Sequence, residues 1–253
     1  LRILGKNKAS VFLSILFMKK IKFPAKNRGH ADFDWLKANY SFSFARYFDP
    51  DRLSFGALRV LNDDFIAPAK GFPKHSHKNM EIITIPLEGK LKHEDSTGNA
   101  GVIERGEVQV MSAGTGIYHS EKNPDPDQRL NLLQIWISPK EKEIEPRYDQ
   151  KKFEVKKNEF QCLVSPISQS NNETLGIHQN AYLYNLTIET HKELKYQLND
   201  KIHGVFLFMI EGEIELANQN LSSRDAMEIS ETPEFNIKAN KESKLICIEV
   251  PLK

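Results

Sequence analysis

Cysteine is nearly absent: Cys162 and Cys247 are the only two in 253 residues, and they form no C-x-x-C pair. A cysteine-rich zinc site and a dithiol redox motif are therefore excluded. Both thiols sit in apolar, strand-like stretches, which reads as buried cysteines in a reducing, cytoplasmic compartment, with a disulfide between them left open. An excess of charge is missing too. Lys and Arg number 35 and Asp and Glu 34, for a formal net charge of +1. That balance supplies no electrostatic footprint for nucleic acid and no polybasic patch for a membrane surface. Long apolar runs are also lacking. Val11–Met18 spans eight residues and meets Lys19-Lys20 at once, with no small-x-small cleavage pattern. It is too short to cross a bilayer and lacks the marks of a signal peptide. Met18-Lys19-Lys20 looks like a natural start, so residues 1–17 are expected to be an upstream or non-native extension, with a short leader as the competing reading.

What the chain does contain is β-branched segments cut by glycine. Met80–Leu87 ends in the turn Glu88-Gly89-Lys90, Leu91–Asp95 follows, and Ser96–Gly101 is a loop by composition. Val102–Glu104 leads into the turn Arg105-Gly106-Glu107, and Val108–Met111 is broken by Ser112–Gly116. Tyr40–Phe48 and Leu58–Leu61 are expected strands, with Asn62-Asp63-Asp64 as the turn after the second. Short strands at this rhythm predict an all-β sandwich or barrel.

Two residue pairs bracket the segment from Gly71 to Glu121. His75 and His77 stand one residue apart, as do His119 and Glu121. Residues i and i+2 of a strand point to one face, so two adjacent strands would bring three imidazoles and a carboxylate together. Three nitrogens and an oxygen suit Fe(II), Ni, Cu, Mn or Zn. A single H-x-H is as readily a surface strand, but two such pairs around a β-rich segment favour a metal site. Ligating histidines usually donate their second nitrogen to a carboxylate, carbonyl or water, and Glu81 and Asp95 are available for that.

These residues resemble the pirin family of bicupin proteins. The likeness begins at Ser41–Pro50, continues through Phe55–Asp64 and the two histidines, and includes His93-Glu94-Asp95-Ser96. It ends with Gly114–Glu121 and Gln134–Pro139, covering residues 28–150 most strongly. The resemblance implies a cupin-superfamily bicupin, two jelly-roll β-barrels in one chain, with His75, His77, His119 and Glu121 as the metal ligands. Fe(II) is the ion it implies first. Ser76, where proline is common, and Lys78-Asn79-Met80 depart from the family pattern. Neither removes a ligand, but both bear on the mouth of a pocket.

The expected division is a metal-binding domain over 18–140, a charged connector over 141–159, and a second barrel over 160–253. Gly204–Glu213 echoes Ile82–Lys90 and Lys244–Pro251 echoes Leu132–Pro139, as duplication would leave them. The second half lacks paired ligands; His178, His191 and His203 are scattered and read as surface or loop residues. One metal, in the first barrel, is expected. Two functions follow from the resemblance. One is a metal-dependent dioxygenase, similar to quercetinases, acting on flavonols such as quercetin with dioxygen, in which Glu121 is both ligand and catalytic base. The other is an iron-binding regulatory protein acting through protein partners. A monomer is expected in either case.

Overall fold

Glycine-marked turns cut the chain into strands, and no α-helix forms among residues 18–253, the residues that the computed structural model describes. The extension expected at residues 1–17 lies outside them. In chain order the strands are β1 (Lys19–Phe23), β2 (Gly29–Asp32), β3 (Leu36–Tyr40), β4 (Leu58–Ile66), β5 (Gly71–His77), β6 (Glu81–Glu88), β7 (Lys90–Asp95) and β8 (Ala100–Glu104). There follow β9 (Glu107–Ser112), β10 (Ile117–Lys122), β11 (Leu130–Ile137), β12 (Arg147–Lys152), β13 (Gln161–Pro166), β14 (Leu175–Ile177) and β15 (Tyr182–Ile188). The chain closes with β16 (Glu193–Gln197), β17 (His203–Glu211), β18 (Glu213–Leu216), β19 (Gln219–Ser222), β20 (Ala226–Ser230), β21 (Glu234–Ala239) and β22 (Ser243–Pro251). No described helix is long and apolar enough to cross a membrane.

Contacts divide the chain into two units. The first comprises Arg28–Val155 and Leu163–Ala181. Its large antiparallel sheet runs β12-β9-β6-β11-β4-β3-β2, and its small sheet runs β5-β10-β7-β8. The two sheets enclose a jelly-roll core. Leu36, Ala38, Ile66, Leu130 and Leu132 of the large sheet meet Leu91 and Ile103 of the small one, all nearly or fully buried. Each buried Leu or Ile stabilises the barrel by roughly 1.5–3 kcal/mol. Among the described residues, the second unit comprises 18–27 with Lys156–Cys162 and Tyr182–Lys253. It repeats the plan with β1-β20-β17-β22-β15 over β16-β21-β18-β19, around Val205, Leu207, Ile214, Ile237 and Leu245. The repeated Glu-Gly turns are equivalent in shape: Gly89 and Gly212 take φ of 77° and 92° between β6 and β7 and between β17 and β18.

Several local expectations are corrected. Asn62-Asp63-Asp64 is not a turn; β4 runs through it to Ile66. Long-range partners override the turn propensity, since Asp63 pairs with Arg28 and accepts a hydrogen bond from Asn131 at 2.9 Å. The expected strand over Tyr40–Phe48 ends at Tyr40. There Ala45 turns the chain at φ 51°, and the rings of Phe44 and Tyr47 fold back on Tyr40. The charged connector contains β12, which extends the large sheet by pairing with β9. His203 is not a surface residue: it is buried and its Nδ1 lies 2.8 Å from Glu249. His203 shares its strand face with Val205 and Leu207, and the buried carboxylate satisfies it. Neither cysteine forms a disulfide; Cys247 is buried and Cys162 half-buried.

Gly71 matters for the site because it starts β5 against Lys122 of β10. A Cβ there would lie 2.2 Å from the Glu121 carbonyl oxygen and 2.5 Å from the Lys122 Cα. Gly71→Ala is expected to push β5 off β10, destabilising the unit by about 1–3 kcal/mol. Urea denaturation with a parallel metal titration measures both effects; wild-type values would show that this close approach is dispensable.

Candidate metal centre

Three neighbouring strands of the small sheet, β5, β10 and β7, supply the site. Their register sets His119 opposite His75 on one side and Asp95 on the other, with Glu121 opposite His93. Ile117 opposes His77. Alternation along β10 then turns His119 and Glu121 inward together, and both are buried. An irregularity between His119 and Glu121 shifts the pairing so that Glu121 faces Phe72 of β5.

The ligating atoms of His75, His77 and His119 all lie within 4.8 Å of one another. Those of His93, His119 and Glu121 form a second group at the same spacing. The four expected ligands thus fall into two groups that share His119, rather than one group of four. His93 was not among the expected donors, although His93-x-Asp95 carries the same i, i+2 signal as the other pairs.

A hydrogen-bond chain sets the imidazole tautomers. Asp95 lies 3.2 Å from Nε2 of His93 and accepts its proton. Nδ1 of His93 is then a lone pair, facing Nδ1 of His119 at 3.5 Å. His119 is thereby protonated at Nδ1 and presents a lone pair at Nε2. His75 donates from Nδ1 to the Pro73 carbonyl at 2.8 Å and likewise presents Nε2. The two Nε2 atoms stand 3.0 Å apart. Two lone pairs at that distance repel unless a cation lies between them, so the residues fit a metal ion. Burial and the nearby imidazoles push His119 down to about 2, and burial with His75 pushes His77 down to about 4. Both imidazoles are therefore neutral at neutral pH, the form in which a histidine can ligate a metal.

Glu121 is held differently. Gln134 of β11 donates from Nε2 to both carboxylate oxygens, at 3.0 and 3.3 Å, and Thr84 of β6 donates to Gln134 Oε1 at 3.1 Å. Burial still dominates and raises Glu121 to about 7, against the lowering effect of Gln134 and Thr84. Gln134 and Thr84 belong to a registered polar row that crosses the large sheet from Asn62 to Gln109. Beside that row Trp136 sets its ring edge-on to His77 at 4.9 Å, within an apolar cluster of Ile82, Met111, Ala113 and Ile117. The Trp136 Nε1–H is buried without a hydrogen-bond partner. Tyr148 stacks on His93 at 4.8 Å. Of the two carboxylates expected to orient the ligands, Asp95 does so through His93. Glu81 shares the opposite face of β6 with Ile83 and accepts from Ser112 at 2.7 Å instead.

His93→Phe keeps a ring against Tyr148 but removes the acceptor that fixes His119. Metal affinity is expected to fall by about 10–100-fold with the fold retained, as for other orienting partners. Competition with a chelator reads this; unchanged affinity would detach His93 from the site.

Comparison with known proteins places these features. The Pirin family profile matches residues 23–137, and that of the quercetinase C-terminal cupin domain matches residues 162–250. An Escherichia coli protein named quercetin 2,3-dioxygenase is 39% identical over 227 residues, covering 90% of this chain and 96% of that protein. A pirin-like protein of Caulobacter vibrioides is 38% identical over 228 residues, covering 89% and 97%. The crystal structure of the bacterial pirin YhhW from Escherichia coli in complex with nickel(II) aligns with a TM-score of 0.87 and 38% identity, over 92% of this chain and 99% of that one. With both domains matched and relatives aligned over nearly their full length, this chain belongs to the pirin family, an all-β bicupin with two β-barrels in one chain.

Proposed function

We propose that this protein is a metal-dependent dioxygenase acting on flavonols such as quercetin, with His75, His77, His119 and Glu121 holding one divalent ion, Fe(II) first and Ni, Cu, Mn or Zn as the others. The observation that carries the reading is the meeting of neutral imidazole lone pairs with a buried carboxylate whose proton affinity lies near neutrality. The 39% identical Escherichia coli quercetin 2,3-dioxygenase supports the same class of activity.

A bound transition ion supplies open positions where substrate oxygens and dioxygen come together. The protein's own residues do the rest. Glu121 takes the proton of the flavonol hydroxyl at a carboxylate oxygen, a transfer favoured when the base titrates close to the working pH. Gln134, held by Thr84, keeps that carboxylate aimed. Trp136 and Met111 form an apolar wall that excludes water beside His77, and the unpartnered Trp136 Nε1–H is a ready donor to a substrate oxygen. The protein works as a cytoplasmic monomer in this reading.

Aerobic oxygen uptake with quercetin, on protein loaded separately with Fe(II), Ni, Cu, Mn and Zn, tests it. Quercetin-dependent uptake with at least one ion is expected. Full metal occupancy without uptake for any ion would overturn the reading in favour of an iron-binding regulatory protein acting through protein partners.

A further inference from the structure

The tautomer chain at the metal centre depends on the orientation of one ring. His93 must keep its Nδ1 at 3.5 Å from Nδ1 of His119, close to the limit for a hydrogen bond. The second side-chain torsion of histidine is broad, so no sharp rotamer holds the imidazole plane. Asp95 fixes the tip of the ring through Nε2 at 3.2 Å. That carboxylate is itself anchored. Its Oδ1 accepts from the backbone N–H of Thr97 and Asn99 at 2.9 and 3.2 Å, and from the Thr97 hydroxyl at 2.6 Å. A bond at one ring atom still lets the imidazole tilt about the line from Cβ to that atom. A second contact has to fix the plane.

Strand β12 supplies a flat surface at that point. It pairs with β9 and sets Tyr148 opposite Met111 and Gln150 opposite Gln109. Met111 belongs to the apolar cluster beside Trp136, so Tyr148 and Gln150 share the inner face of the sheet. The Tyr148 ring stacks on His93 with centroids 4.8 Å apart and planes 29° apart. Its far end is tied down. The hydroxyl donates to Gln150 Oε1 at 2.8 Å, and Gln150 Nε2 donates to the Val102 carbonyl and to Glu107, both at 2.9 Å. Burial, with Asp95 and Glu107 nearby, pushes the Tyr148 hydroxyl up to about 12, so it remains a donor. Gly101 stands opposite His93 on β8. A Cβ there would lie 3.2 Å from both the Tyr148 hydroxyl oxygen and Gln150 Oε1, so glycine leaves room for the pair where it meets His93.

We infer that Tyr148 is a positioning residue of the metal centre: its ring, anchored by Gln150, sets the plane of His93 so that His93 accepts the Nδ1 proton of His119 and His119 keeps Nε2 for the ion. The inference rests on the ligand set proposed above. It makes β12, part of the expected connector, a support of the centre, and Tyr148 acts there only through His93.

Two readouts on Tyr148→Leu test this: chelator competition for nickel, and long-range proton–nitrogen NMR of the imidazoles in metal-free protein. Nickel affinity is expected to fall by about tenfold, the lower end for groups that orient a ligand. His119 is expected to pass from a single Nδ1–H form to a mixture of tautomers, a change that loss of packing alone would not produce. Tyr148→Phe keeps the ring and is expected to stay close to wild type in both readouts. In the His93→Phe background, Tyr148→Leu is expected to cost no further affinity. Tyr148→Met, which keeps the bulk but has no flat face, replaces the leucine variant if that one does not fold. Wild-type affinity or an unchanged His119 tautomer in the folded variant overturns the role of Tyr148, as does an equal loss in Tyr148→Phe. Wild-type protein without nickel uptake would overturn the ligand set on which the inference rests.

Discussion

Exchange of His119 for alanine is expected to lower metal affinity by well over 100-fold, beyond the roughly 10–100-fold typical of groups that merely orient a ligand. His119 alone belongs to both donor groups. It faces His75 at 3.0 Å through Nε2 and His93 at 3.5 Å through Nδ1, so its removal breaks the ligand set and the chain that fixes it. His77→Ala also loses most metal, but leaves the Asp95–His93–His119 chain intact. Both variants keep their fold, since the second unit has its own core and the apolar core of the first contains no imidazole. Metal content after dialysis, beside a circular-dichroism spectrum, measures this. Stoichiometric metal in folded His119→Ala would refute the assignment.

Glu121→Gln is expected to have two large and opposite effects. Turnover falls by about 10²-fold or more, the usual share of a positioned base. Stability of the metal-free protein at pH 8 rises. Burial lifts the Glu121 pKa from 4.5 to about 7. Between those values the folded protein holds a proton that the unfolded chain has released. The stability this group contributes is therefore complete below pH 4.5 and is lost as pH rises through about 7. Above that, the wild type carries an anion in its core at a cost of up to about 3 kcal/mol. Glutamine does not titrate, so the variant's stability is flat with respect to this group and exceeds that of wild type at pH 8. Urea denaturation of metal-free protein at pH 5 and pH 8 reads the difference. A variant less stable than wild type at pH 8 would contradict a carboxylate whose pKa is raised by burial.

The parts of the site visible in the sequence were those set by local spacing. His75 with His77, and His119 with Glu121, sit one residue apart on strands, and strand alternation alone turns each pair to one face. The glycine turns at Gly89 and Gly106 marked the strands between them. What was not visible depended on partners distant in sequence. Asn62–Asp64 has the composition of a turn, yet Arg28 and Asn131 hold it within β4. Glu81 and Asp95 were equal candidates to orient a ligand. Register across β10 and β7 selects Asp95, whereas Glu81 lies on the opposite face from Thr84. His93 carried a readable H-x-D signal, but only its distance to His119 shows that it sets a tautomer. His203 had no neighbour in sequence to betray Glu249, 46 residues away.

The most direct test of the metal centre is an anomalous difference map from crystals of protein loaded with nickel or iron. One peak is expected in the first barrel, about 2 Å from Nε2 of His75 and of His119, with His77 and the Glu121 carboxylate completing the ligands. An empty position between those two nitrogens at full metal loading, or a peak elsewhere with the imidazoles undisturbed, would contradict it.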